Sequence, residues 1–222
     1  MKTARTGSPA AAEPVAASSA KSRSVSKDSR WRPKALRRTT MSSPPNVCCG
    51  FPERSVGLLP AWGGTVQSLV RALGAGEPLP AASAFAVTTS CEVSTSAWQA
   101  ADWHLLTDHD EIVASVHRVL AEAKAVALDL VEGGWTPPAP VELPLHSPDA
   151  EPLDAGWADA SETDRAIVAR IAGILTGGRP GATASEEDLL PLEVDAAVDL
   201  LQRPLNQERV WHLLRTNKAL AN

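Results

Sequence analysis

Glu53 occupies the setting in this sequence best suited to acid–base chemistry. It stands in a Pro-Glu step inside the turn-rich run from Gly50 to Thr65, GFPERSVGLLPAWGGT, ahead of an apolar stretch from Val66 to Leu73. There a carboxylate, free backbone N–H groups and apolar walls can converge. A carboxylate in an apolar pocket has its pKa raised toward neutrality, which suits general acid/base work. Gly63 and Gly64, just before the apolar stretch, leave N–H groups able to face an anion or a polar carbonyl. An ordinary loop-to-helix turn would use the same residues. His104, His109 and His117 are irregularly spaced and lack the Cys or carboxylate pattern of a metal site, so no metal is expected. His117 reads as a surface residue. No Ser or Cys sits in a nucleophile-elbow context. Asp108, Glu111, Glu122, Asp164, Glu186, Glu187 and Asp188 read as caps or as residues of solvated helix faces.

The elements that must position Glu53 belong to an acidic body. Residues 48–222 hold eleven Lys/Arg against twenty-four Asp/Glu, whereas residues 1–47 hold ten against two. The first 47 residues are rich in Ser, Ala, Arg, Lys and Pro without apolar periodicity, so a disordered basic arm is expected there. The body has no Tyr and few Phe, and its core must come from Leu, Val, Ile and Ala, a helix-leaning set. The longest uncharged run of the body, Ser55 to Val70, is sixteen residues broken by Pro60, Gly63 and Gly64. That is too short and too interrupted for a spanning helix, and no apolar segment of a secretory signal follows the basic start. Cys48, Cys49 and Cys91 make neither a disulfide framework nor a metal cluster, which fits a reducing compartment.

Patterning predicts short helices throughout the body. One covers Val66–Leu73, a second Leu79–Thr89, and a third begins after Ser94-Thr95-Ser96 and ends near His104. The clearest starts at the cap-like pair Asp108 and Glu111, carries Ile112, Val116, Val119, Ala123, Val126 and Leu130 on one face, and stops at Gly133-Gly134. Residues 133–160 hold six of the eighteen prolines, so an extended connection is expected. Ser161 with Asp164 caps a helix bearing Ile167, Ile171, Ile174 and Leu175, which ends at Thr176-Gly177-Gly178. Ser185 with Asp188 caps the next, with Leu189, Leu192, Ala196 and Leu200 along one face. Asn206 is expected to cap a last segment with Val210, Leu213 and Leu214.

Six colinear blocks carry a family resemblance. FPERSVGLLPAWGGT (Phe51–Thr65) resembles the stretch of the crotonase superfamily that holds its second catalytic glutamate. VSTSAWQAADWHLL (Val93–Leu106), LAEAKAVALDLVEGGWTPPAP (Leu120–Pro140), LTGG (Leu175–Gly178), SEEDLLPLEVDAAVDLL (Ser185–Leu201) and NQERVWHLLRTNKALAN (Asn206–Asn222) follow in order. They are most similar to a bacterial subgroup in which an enoyl-CoA hydratase domain is fused to 3-hydroxyacyl-CoA dehydrogenase. The resemblance implies an α/β fold, the C-terminal part of a crotonase-like spiral, of which the visible chain is the predominantly α-helical portion. By that likeness residues 48–106 form a partial crotonase-like core and residues 107–222 a helical C-terminal region.

The implied chemistry is addition of water across the double bond of a trans-2-enoyl-CoA in fatty-acid β-oxidation. Two glutamates orient the water and pass its proton, while two backbone N–H groups hold the thioester oxygen. Glu53 carries over as one of those glutamates. Ala61 falls where the family places a small residue near the water, Gly63 and Gly64 keep the turn tight, and Trp62 replaces a small residue and would narrow the pocket. His104 stands where the family usually has a turn glycine, which implies a positive φ. Residues 1–47 hold no counterpart of the Gly-rich segment with the other glutamate, nor a strand-anchored G-x-G-x-x-G fingerprint. The expectation is therefore a truncated, catalytically incomplete protein of this type, without an NAD site or other cofactor, with acyl-CoA thioester as its substrate in the family. An active hydratase is the alternative. Binding of nucleic acid by the basic arm is a third reading, disfavoured by the acidic body. Apolar faces left uncovered imply self-association. A cytoplasmic location is expected, or an organellar one if residues 1–47 act as a transit peptide.

Overall fold

In the computed structural model, residues 42–43, 47–178 and 183–222 are described. The expected disordered arm lies almost wholly outside them. The described chain is mostly helical. Seven α-helices run in the order α1 (Gly64–Gly74), α2 (Pro80–Thr89), α3 (Ala97–Asp102), α4 (Val119–Glu132), α5 (Glu162–Leu175), α6 (Glu186–Gln202) and α7 (Pro204–Thr216). The strands are two residues each: β1 (Ser42–Ser43), β2 (Glu111–Ile112), β3 (Leu143–Pro144) and β4 (Thr183–Ala184). β1 pairs with β2 in parallel, Ser42 facing Glu111, and β3 pairs with β4 antiparallel, Leu143 facing Ala184. A single antiparallel bridge joins Gly50 to Val93. A Cβ at Gly50 would stand 2.1 Å from the Glu92 carbonyl oxygen, so only glycine lets the two strands approach.

The main core joins α1, α2, α5 and α6. Val66 and Leu69 meet Ala84 and Phe85, and Ile167, Ile171, Ile174 and Leu175 meet Leu189 and Leu200, with Leu143 of β3 fully enclosed among them. A smaller cluster gathers Ala97, Ala100, Leu105 and Leu106 against Phe51, Val87 and Ile112. The caps read from sequence at Ser161 and Ser185 are formed. Ser161 Oγ accepts from the Asp164 N–H at 3.2 Å, and Ser185 with Asp188 closes a full capping box. Ser96 caps α3 in the same way, accepting from the Gln99 N–H.

Two expectations need correction. Asp108 and Glu111 do not start a helix: Asp110 instead accepts from the Thr107 N–H and hydroxyl, closing a turn, and Glu111 and Ile112 enter β2. The helix begins seven residues after Ile112, at Val119, with Arg118 at its N-cap and no side-chain cap. The apolar stripe of α4 is half-buried at Val119, Ala123, Val126 and Leu130, while Leu120 and Val131, off that stripe, are largely exposed. Asn206 does not cap α7. Pro204 opens that helix, where its missing N–H costs nothing, and Asn206 lies one turn inside, buried. No helix among the described residues is long and apolar enough to cross a membrane.

Candidate functional site

Glu53 sits on a short 3-10 turn, Pro52–Val56. Pro52 presets the first φ, and Gly57 ends the turn at φ +88°. The Gly57 N–H returns to the Arg54 carbonyl at 3.1 Å and the Leu58 N–H to the Glu53 carbonyl at 3.0 Å. The Glu53 side chain is half-buried, and its Oε2 is enclosed without a hydrogen-bond partner among the described residues. Burial pushes its carboxyl above the ordinary 4.5.

A second turn follows directly. Trp62 and Gly63 both take left-handed backbone, φ +57° and +94°, and bring the chain into α1. Trp62 is 85% exposed, so its ring stands in solvent rather than narrowing a pocket in this chain. Ala61 packs on the main core. Gly64 is required by close packing, because a Cβ there would lie 2.8 Å from the Pro60 Cβ. His104 has φ +57°, as its glycine-like position implies, and its Nε2 pairs with Glu77 at 2.9 Å.

The anion that faces the start of α1 belongs to the chain itself. Glu193 of α6 is 1% exposed, and its two carboxylate oxygens accept from the Gly63 N–H at 2.5 Å and the Val66 N–H at 2.8 Å. The two N–H groups between them return to the local turn, Gly64 to the Ala61 carbonyl and Thr65 to the Pro60 carbonyl. All four donors from Gly63 to Val66 are therefore engaged within the chain. Burial raises the Glu193 carboxyl above 4.5 even though N–H groups bind it. Glu193 went unnoticed in the sequence. Its signal was a charged residue on the buried stripe formed by Leu189, Ala196 and Leu200.

A polar cluster lies on the other side of the Glu53 turn. Asp164 Oδ1 receives Arg54 Nη1 and Arg209 Nη1, each at 2.9 Å. Burial alone would push the Asp164 carboxyl up, but hydrogen bonds from Arg209, Arg54 and Ser161 together hold it below the ordinary 3.8. Arg209 is 2% exposed and also reaches the Arg54 carbonyl, Ser161 Oγ and Asn222 Oδ1. Arg54 stacks 4.8 Å above the Trp157 ring and donates to the Thr89 carbonyl. Asp164 is thus more than the cap its spacing suggested.

The remaining candidates are separate. Among the described residues no group of three His, Cys, Asp or Glu could hold a metal ion, and all three cysteines are free thiols. A shallow cleft of about 470 Å³ lies between Leu130 of α4, His109, Trp135 and the Thr136–Ala139 stretch. It includes none of Glu53, Ala61, Trp62, Gly63 or Gly64.

No family model matches the chain, and no solved structure matches it. Among curated proteins it is similar to a "Probable 3-hydroxyacyl-CoA dehydrogenase" of Bacillus subtilis (strain 168), with 30% identity over 190 residues. The matched span is 78% of this chain but 23% of that protein. Most of this chain is therefore related in sequence to one segment of a probable 3-hydroxyacyl-CoA dehydrogenase.

Proposed function

We propose that residues 48–222 are the C-terminal part of an enoyl-CoA hydratase module of the kind fused to 3-hydroxyacyl-CoA dehydrogenase, acting on acyl-CoA thioesters in fatty-acid β-oxidation. On this reading Glu53 is one of two acid–base carboxylates, and the second carboxylate and a thioester-binding N–H come from polypeptide outside these residues. The observation that carries the proposal is the enclosed, unpartnered Oε2 of Glu53. A buried acceptor without a partner costs stability and is tolerated where a water or substrate group supplies the donor. In the completed site a water against the Glu53 carboxylate would give it a proton as the hydroxyl adds to the β-carbon. The double-bond electrons would move onto the thioester oxygen held by the N–H groups, and the α-carbon would then take up a proton from the carboxyl pair. A carboxyl raised above 4.5 is better matched to holding and returning that proton at neutral pH.

The Gly63–Val66 donors are spoken for by Glu193 and the local turn, which fits a chain that does not complete the thioester site by itself. The exposed Leu120, Leu128 and Val131 of α4 fit self-association, which light scattering of the purified protein would read as a mass above that of one chain.

Hydration of crotonyl-CoA, followed as loss of the absorbance of the conjugated thioester, tests the reading. The expected result is no turnover by the chain alone, and turnover once the preceding half of a bacterial hydratase domain is added. That restored activity must vanish in Glu53→Gln. Hydration that survives Glu53→Gln would overturn the role given to Glu53.

A further inference from the structure

We propose that Arg209, together with Asn206 one turn before it, is the positioning residue of the Glu53 turn, so that α7 fixes the direction of that carboxylate from 150 residues away in sequence. Both side chains are buried, at 2% and 1% exposure, and their spacing of three puts them on one helix face. Each donates to a main-chain carbonyl of the same short turn. Asn206 Nδ2 reaches the Gly57 carbonyl at 2.7 Å and Arg209 Nη1 the Arg54 carbonyl at 3.0 Å. Gly57 makes the approach possible, since a Cβ there would lie 2.8 Å from the Asn206 carbonyl oxygen and 3.0 Å from the Arg209 Cβ.

Residue 54 is consequently held at both ends. Its carbonyl goes to Arg209, and its guanidinium goes to Asp164, which also binds Arg209. With Arg54 fixed in this way, the backbone of its neighbour Glu53 has little freedom left, and only the Glu53 side-chain torsions remain to be set. Apolar packing would stabilise such a turn at least as well as a buried guanidinium does. Hydrogen bonds to two carbonyls add directional control of the main chain, which a functional carboxylate needs and a surface turn does not. The role assigned to Arg209 rests on the reading of Glu53 as the acid–base group.

The test is titration of the Glu53 carboxyl by carbon NMR in the full chain, with amide exchange at Leu58, whose N–H binds the Glu53 carbonyl. The charged groups packed about this turn are Arg54, Asp164 and Arg209. In Arg209→Met, with helicity retained, the Glu53 midpoint should fall toward 4.5 as the turn loosens and the carboxylate meets water. Leu58 should exchange about tenfold faster while the amides of α2 do not change. Arg209→Lys should recover part of both effects. If Arg209→Met does not fold, Asn206→Leu removes the Gly57 contact, leaves the Asp164 pairs in place, and must move the same two readouts. A folded variant of either residue with an unchanged Glu53 midpoint overturns the proposal. Neither readout involves a thioester. Failure here would leave the crotonyl-CoA result standing, and failure there would leave the clamp standing.

Discussion

Glu53 and Glu193 are both pushed above their ordinary range by burial, yet they are placed to do opposite things. Glu193 reaches from α6 to the first turn of α1 and spends both oxygens on backbone N–H groups. Glu53, ten residues before Gly63 in sequence, keeps one oxygen enclosed and unpartnered. A raised pKa therefore does not by itself mark a working carboxylate. Under the proposed function, the free lone pair of Glu53 is what separates the two. Removing Glu193 orphans two donors, whereas removing Glu53 relieves an unsatisfied acceptor.

The largest effect should come from the cluster that supports the Glu53 side. Arg209→Met leaves Asp164 with one cationic partner and breaks five hydrogen bonds of the guanidinium. A loss of about 3–5 kcal/mol in urea unfolding is expected, the range for breaking a buried ion pair from one side. Next is Glu193→Ala, which strands the Gly63 and Val66 N–H groups and opens a cavity. About 2–4 kcal/mol should be lost, the lower part of the range of roughly 1–3 for each of two unsatisfied groups, because the desolvated carboxylate is removed as well.

The pH dependence separates the three acids. The Glu53 and Glu193 carboxyls titrate above 4.5 when folded, so the folded chain holds more protons than the unfolded one in the window above that value. Each of them therefore removes stability as pH rises through that window. Asp164 behaves in the opposite sense. Its folded pKa lies below 3.8, so its contribution is present above that value and is lost as pH falls below it. Unfolding midpoints of Glu193→Gln across pH should show a shallower decline above 4.5, and those of Asp164→Asn a weaker fall on the acid side.

The smallest effects concern the two serine caps. Ser185→Ala should cost about 1 kcal/mol, a usual value for an exposed N-cap. Ser161→Ala should cost more, because Ser161 Oγ also accepts from Arg209 at 2.9 Å. Equal costs would mean that the Arg209 contact adds nothing.

These serines also show what was legible in the sequence. Ser161 with Asp164 and Ser185 with Asp188 act over three residues, and the chain alone specifies them. Asp108 with Glu111 has the same spacing, but the Thr107 N–H and hydroxyl captured Asp110 first, and a turn formed in place of a helix start. The Glu53 turn and the Gly63-Gly64 entry to α1 were readable from Pro and Gly. Their partners were not, because Glu193, Asn206 and Arg209 act across about 130 to 155 residues. Such contacts leave only an indirect trace, a polar residue on an otherwise apolar stripe. The face of α4 read from its periodicity is half-buried at Val119, Ala123, Val126 and Leu130.

The comparison rests on one pair of variants, Glu53→Gln and Glu193→Gln, unfolded in urea side by side at neutral pH. Glu193→Gln is expected to lose about 1–3 kcal/mol, since an amide cannot accept on both sides. Glu53→Gln should stay within about 0.5 kcal/mol of the parent or exceed it, because a buried charge with an unmet oxygen is removed. If Glu53→Gln destabilises the chain as much as Glu193→Gln, then Glu53 is a second structural carboxylate, and the acid–base role assigned to it is wrong.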